Sequence, residues 1–267
     1  MLKAATAVHV FFPSEAALVR KFAPRAGCFS VSTGASGAAG GGVGGGGYVA
    51  WFGRYDPEHK GLTRLLDGWA EITPELRPML RMHGTDYRSG LARLHEQVDR
   101  LGLDDYVSVG GPIHAEAKEA FLRHADAYIH PSNWESHSVA LVKVLERGIP
   151  AVVSSSIHIA PVLVEADAAV VSEIAPDALD LAMQRVETGS ASEQSLSSAE
   201  VLTGVLSYRR GMMRYGIDSG VLNSLRWPAT SQALSSLSNV VISLAIVRVA
   251  TTAKPGSTEE CGVLIVF

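Results

Sequence analysis

Cysteine is nearly missing from this chain: Cys28 and Cys261 are the two in 267 residues, near opposite ends, with no CxxC between them. A disulfide framework and a cysteine-rich zinc site are both excluded. Charge is scarce as well, at 19% of residues against the usual ~25%. Its balance, 23 Lys+Arg against 27 Asp+Glu for a net charge of -4, argues against a broad polyanion-binding surface and hence against nucleic acid as a partner, while leaving room for a local basic pocket. No apolar run approaches the ~18 residues of a membrane span; the best candidate, residues 240–247, is closed by Arg248. The opening MLKAATAVHVFFPSEAALVRK is interrupted by Pro13, Ser14 and Glu15 and does not read as a signal peptide, so a cytoplasmic location is the default expectation.

Several catalytic motifs are also missing. There is no GxxxxGK[ST] phosphate loop and no GxSxG, and His95-Glu96 lacks the second histidine that HExxH requires. No Asp-x-Asp occurs, which removes the usual acidic clamp for a metal–diphosphate complex, and no metal site is expected. Residues 42–47 match GxGxxG formally. That motif has meaning only after a strand and before a helix, and here it follows low-complexity sequence.

What is present is enough apolar residue, 47%, for a substantial core, on a length about twice the common ~100–150-residue domain. Nine of the 26 glycines fall in residues 34–47, a composition that reads as a flexible linker. Serines crowd the segment from Ser190 to Ser198, and no strong period follows. Between these limits strand and helix signals alternate. Residues 48–52 read as a strand, and Leu62, Leu65, Leu66, Trp69 and Ile72 follow at helical spacing. Residues 79–82 read as a strand ended by His83-Gly84, then Tyr87, Leu91, Leu94, Val98 and Leu101 mark a helix with Gly102 at its C-terminal position. The pattern continues with strands at 106–109, 127–130, 151–153 and 168–171, and helices at 115–124, 139–145 and 176–186. This predicts an α/β fold, a Rossmann-like parallel sheet with helices on both faces, whose ligand site lies beyond the carboxyl ends of the strands.

Three loops after strands carry chemistry. Gly53-Arg54-Tyr55-Asp56-Pro57-Glu58-His59-Lys60-Gly61 brings two cations, Arg54 and Lys60, to a helix start, which suits a diphosphate as well as two solvated charges. In Met82-His83-Gly84-Thr85-Asp86, Gly84 permits close backbone approach. In Pro131-Ser132-Asn133-Trp134-Glu135-Ser136-His137-Ser138, the Glu135 carboxylate suits either a helix N-cap or sugar hydroxyls.

Taken with LGLDDYVSVGGPI (residues 101–113) and ERGIPAVVSS (residues 146–155), these segments in this order resemble the retaining glycosyltransferases of family 4. The resemblance covers about residues 48–189. It implies the GT-B architecture of two Rossmann-like domains, with the donor held mostly by the C-terminal one. It makes residues 1–33 the end of an N-terminal acceptor domain, 34–47 a glycine-rich linker, 48–189 the donor domain, and 190–267 an irregular tail with a closing helix near Trp227. It makes Arg54 and Lys60 the diphosphate clamp beside Gly53 and Gly84, and Glu135 the partner of the donor sugar. It makes Ser136, His137 and Ser138 a backbone cradle, and sets Gly110 and Ile113 near the base.

The family's second carboxylate falls at Lys143, which has three donors and no acceptor for a ribose diol. The expected reaction is metal-independent transfer of a sugar, with retention, from a nucleotide-diphosphate sugar to a glycan, lipid or small-molecule acceptor, with no further cofactor. The departing diphosphate would be stabilised electrostatically. The first reading is such an enzyme in truncated form; Lys143 and an acceptor domain reduced to its final edge favour an alternative, a non-catalytic nucleotide-sugar-binding module or partner subunit, and a sugar-nucleotide epimerase of the same architecture is a third reading. Peripheral contact with the inner membrane face stays open, as does the oligomeric state.

Overall fold

The computed structural model describes residues 7–30 and 41–175, and the backbone of a short strand at Leu264–Ile265. These residues belong to two compact units. In the first, β1 (Ala7–Val10) runs into α1 (Ala16–Phe22) and returns as β2 (Gly27–Ser30). Strand β1 lies between β2 and the short strand, parallel to both. Val8, Val10, Phe11 and Phe12 are buried, and the Glu15 carboxylate accepts the backbone N–H groups of Phe11 and Phe12 at 2.8 Å each, turning the chain into α1.

The second unit is one six-stranded sheet. Its elements are β3 (Tyr48–Tyr55), α2 (Leu62–Glu71), β4 (Met79–Asp86), α3 (Gly90–Leu101), β5 (Val107–Gly110), α4 (Ala115–Arg123), β6 (Ala127–His130), α5 (Val139–Leu145), β7 (Ala151–Ser154), α6 (Ala160–Glu165) and β8 (Val170–Ser172). All pairings are parallel, in the order β5-β4-β3-β6-β7-β8. The strands carry unbroken apolar runs because helices cover both faces: every residue from Tyr48 to Trp51 and from Ala127 to Ile129 is buried. Helix α2 turns Leu62, Leu65, Leu66 and Trp69 inward, all fully buried, at the spacing read from the sequence. Arg77 closes its end, donating to the carbonyls of Ala70 and Ile72 while stacking on Tyr106. Helix α3 ends at Gly102 in the left-handed region (φ 64°), as its position after Leu101 predicts.

Some boundaries differ from the sequence reading. Strand β4 does not stop at Met82 but runs through His83 and Gly84 to Asp86, and β3 runs through Arg54 to Tyr55, with Gly53 opposite Gly84. Gly84 lies against the carbonyl of Gly53, with no room for a Cβ, so the glycine lets the strands continue rather than ending one. Helix α6 carries too short a period to be seen in the sequence.

Residues 41–47, expected to be a flexible linker, are held. The N–H groups of Gly42, Val43 and Gly46 donate to the carbonyls of Arg147, Arg123 and His124, and Asp126 accepts from Gly45 and Tyr48. The helix expected at 176–186, the serine-rich segment and the region of Trp227 lie outside the described residues.

Replacing Leu65 by Ala is expected to cost the second unit ~2–5 kcal/mol. Val164→Ala, at a side chain that is 62% exposed, should stay within about 0.5 kcal/mol. Urea unfolding of the two variants against the parent chain checks both.

Candidate active site

The sheet order places a topological switch between β3 and β6. From β3 the chain steps outward through β4 to β5; from β6 it steps the other way through β7 to β8. The loops leaving the carboxyl ends of β3 and β6 therefore diverge, and the crevice between them is where ligands bind in open parallel sheets.

Here the two loops are fastened to each other. The backbone N–H of Asn133 donates to the His59 carbonyl at 3.0 Å, and its side-chain amide donates to the Glu58 carbonyl at 2.6 Å. The His59 ring stacks on Trp134, 4.4 Å between centroids, and its Nε2 lies 3.0 Å from the Trp134 carbonyl. Gly61, at φ 62°, sits directly beneath the Pro131 carbonyl, where a Cβ would collide. Both the backbone conformation and the close approach thus call for glycine.

This fastening frames a cavity of 310 Å³ lined from β3 by Trp51, Phe52, Gly53 and Arg54, from the first loop by His59 and Lys60, and from β6 onward by His130, Glu135, Ser138 and Ala140. Lys60 Nζ donates to both oxygens of Glu135, at 2.9 and 2.8 Å. His130 Nε2 lies 3.6 Å from the same carboxylate. Burial acts to raise the Glu135 pKa, but the nearby His130 and the Lys60 ammonium that donates to it outweigh burial and hold the carboxyl at about 2. His130 is pushed below its ordinary value, chiefly by burial.

Arg54 reaches into the same space, with its guanidinium 4.4 Å from the centre of the Tyr87 ring and 3.3 Å from Asp56. It also stands 3.4 Å from His59 Nδ1. Since arginine only donates, this contact fixes Nδ1 as the acceptor and leaves Nε2–H to donate to the Trp134 carbonyl. His59 is accordingly held neutral, its pKa lowered by burial first and then by Lys60. Among the described residues, no group of three or more His, Cys, Asp or Glu side chains stands close enough to hold a metal ion.

Two cations and a carboxylate around a pocket at a switch point suit an anionic ligand that also carries hydroxyl groups. Residues 44–200, more than half of the chain, match the family described as glycosyl transferases group 1. The chain belongs to that family. A curated relative, mannosylfructose-phosphate synthase of Agrobacterium fabrum, is 31% identical over 103 residues, which make up 36% of this chain and 23% of the relative.

Among solved structures, sucrose-phosphate synthase from Thermosynechococcus elongatus superposes with a TM-score of 0.68 at 18% identity, over 83% of this chain and 59% of that one. HepE of Anabaena in complex with UDP gives 0.63 at 17% identity, over 83% of this chain and 64% of that one. The chain thus spans less than two thirds of each of these relatives, and the folds agree as GT-B structures.

In this member of the group 1 family the residues singled out in the sequence fall into two sets. Gly53, Arg54, Lys60, Glu135 and Ser138 line the cavity. Gly84, Gly110, Ile113, Ser136, His137 and Lys143 are not among its lining residues. Gly84 pairs with Gly53 in the ladder, and the Gly110 carbonyl accepts the Tyr55 hydroxyl at 2.6 Å. Ile113 follows β5, partly buried. Ser136 and His137 precede α5, whose N-cap is Ser138: its Oγ accepts the Leu141 N–H at 3.3 Å. This corrects the N-cap reading of Glu135, whose carboxylate is occupied by Lys60 instead. Lys143, on α5, is near enough for its charge to act on Lys118, whose pKa is lowered by burial first and then by this like charge. His59 and His130 were not anticipated. The one signal for His130 was a titratable residue closing the buried run AYIH.

Two outcomes follow for this chain. A carboxyl held at about 2 when folded against its ordinary 4.5 stabilises fully above pH 4.5, and that stability drains away as pH falls toward 2. Chemical denaturation at pH 6 and pH 3 should therefore show a larger loss in the parent chain than in Glu135→Gln. At neutral pH, Lys143→Glu should raise the melting temperature, because it replaces the repulsion of Lys118 by attraction; a lower melting temperature would place Lys118 elsewhere.

Proposed function

We propose that this chain is the donor-binding half of a metal-independent, retaining family 4 glycosyltransferase, which takes a sugar from a nucleoside-diphosphate sugar and works with an acceptor-binding domain. The observation that carries the reading is the convergence of Arg54, Lys60 and Glu135 on one cavity at the β3/β6 switch point. In this reading Arg54 and Lys60 bind the diphosphate, and the field they supply grows in value as the bond from the sugar's anomeric carbon to the phosphate oxygen breaks and charge collects on the leaving group. Glu135 accepts hydroxyls of the donor sugar. The acceptor hydroxyl then attacks from the face the diphosphate leaves and gives its proton to the departing phosphate oxygen, which retains configuration. The relatives support the substrate class: HepE of Anabaena is solved in complex with UDP and with UDP-glucose.

A second reading, a nucleotide-sugar-binding module without turnover, is favoured by Lys143. It stands where the family has a carboxylate, and its like charge acts on Lys118. Under that reading the site binds donor tightly and specifically but releases no sugar to any acceptor.

Calorimetry with UDP and GDP decides whether the site is a donor site. Arg54→Ala and Lys60→Ala should each weaken binding at least about tenfold, a loss of about 1.4 kcal/mol. The double variant Lys60→Ala/Glu135→Gln separates the lost cation from the unpaired carboxylate left behind. Chelator should leave the affinity unchanged. Equal affinity in all variants would place the ligand elsewhere.

A further inference from the structure

Two features of the cavity are in tension. Lys60 gives its ammonium to both oxygens of Glu135, at 2.8 and 2.9 Å, yet a diphosphate in the same cavity competes for that ammonium. When Lys60 turns to phosphate, a largely buried carboxylate loses its cation, and a buried charge left alone is costly. The second feature is His130. Its side chain is 4% exposed, both ring nitrogens are buried without a hydrogen-bond partner, and Nε2 is 3.6 Å from Glu135 Oε2. A buried imidazole with two unused nitrogens is itself unfavourable, and it stands one small movement from the carboxylate that Lys60 would vacate.

We propose that His130 takes over Glu135 when a phosphate-bearing donor draws Lys60 away, so that the donor binds together with a proton taken up by His130. This rests on the donor-site reading above. In this exchange Nε2–H moves into hydrogen-bonding distance of Glu135 Oε2, and the added proton resides on the second ring nitrogen, Nδ1. His130 is then a positioning residue: it holds Glu135 ionised and in place for the sugar while Lys60 serves the phosphate.

The surroundings agree with this coupling. The charged and titratable groups sharing the cavity with His130 are Arg54 from β3, His59 and Lys60 from the following loop, and Glu135 from the loop after β6. On its own strand Tyr128 stacks on the ring at 6.2 Å, with its hydroxyl turned to the Phe52 carbonyl. From beyond β7, the backbone N–H of His158 donates to the Glu135 carbonyl. Of these groups, Glu135 and Lys60 are the two whose charges act on His130, the first raising its pKa and the second lowering it, beneath the larger effect of burial. Moving Lys60 removes the opposing charge and leaves the favourable one. A base whose pKa rises on binding takes up a proton, so affinity for the donor increases as pH falls through the interval between the two values.

The experiment has an arm without ligand and an arm with it. In the first, the ring protons of the nine histidines are followed by NMR titration, and His130 is assigned by the resonance that His130→Asn removes. Its midpoint should rise by about one pH unit or more in Lys60→Met. An unchanged midpoint in the folded variant overturns the proposal.

In the second arm, UDP-glucose, whose phosphates do not titrate between pH 5 and 8, roughly around the histidine value, is titrated calorimetrically in phosphate and in Tris. Proton uptake makes the observed heat more endothermic in Tris, and this buffer dependence should vanish in His130→Asn and in Glu135→Gln. Binding without buffer dependence overturns the proposal while the donor site stands. No binding of UDP-glucose or UDP overturns the donor site, and the coupling with it.

Discussion

Strand β3 lies beside β6, although β4 and β5 intervene in sequence, and the arrangement of the site descends from that pairing. It is a short ladder, Val49 with Ala127 and Ala50 with Tyr128, with fully buried side chains on both faces. Because the crossovers on either side of it run in opposite directions, the two loops at its carboxyl end have no neighbouring strand to follow. Their backbone groups find partners in each other, through Asn133, His59 and Glu58. Lys60 and Glu135 are carried to opposite sides of one gap by residues that are themselves loop-bound, and their separation is set by the sheet rather than by chance packing.

The gap is electrostatically economical for a ligand site and awkward for a stability site. A carboxylate that is only 13% exposed gains from Lys60 and His130 what it loses in hydration, but an apolar pair in its place would fold as well without the balancing act. Neighbouring groups are also arranged so that few charges stand idle. His59 is fixed in one neutral tautomer between Arg54 and the Trp134 carbonyl, and Arg54 rests on Tyr87 and Asp56. Arg54 is therefore held by its neighbours before a ligand arrives, which reduces the ordering cost of binding.

Much of the second unit was legible because its signals are periodic. Leu62, Leu65, Leu66 and Trp69 at helical spacing, and continuous apolar runs such as AYIH and AVVS, specify a buried parallel sheet by themselves. Strand ends were less legible, since His83-Gly84 reads as a stop until one sees that Gly84 has to pass close to the Gly53 carbonyl. The held state of residues 41–47 was hidden for a related reason: glycine composition reports the freedom of a free chain, while the carbonyls that restrain it belong to α4 and the turn after α5. In the site, Arg54, Lys60 and Glu135 could be found as charges in loops. The pairing of Lys60 with Glu135, the lone position of His130 and the nearness of Lys143 to Lys118 depend on distances between elements, which no local pattern encodes.

The stack of Trp134 on His59 gives the molecule an optical property. Trp51 and Trp69 are almost wholly buried, whereas Trp134 is 57% exposed and touches a residue of the cavity wall face to face. Emission from the two buried indoles reports the integrity of the sheet, while the solvent-facing one samples the loops that enclose the cavity. Among the described residues the chain thus carries two buried indoles and one exposed indole at the mouth of the site, distinguishable by how readily a soluble quencher reaches each, while the fourth tryptophan, Trp227, lies outside them.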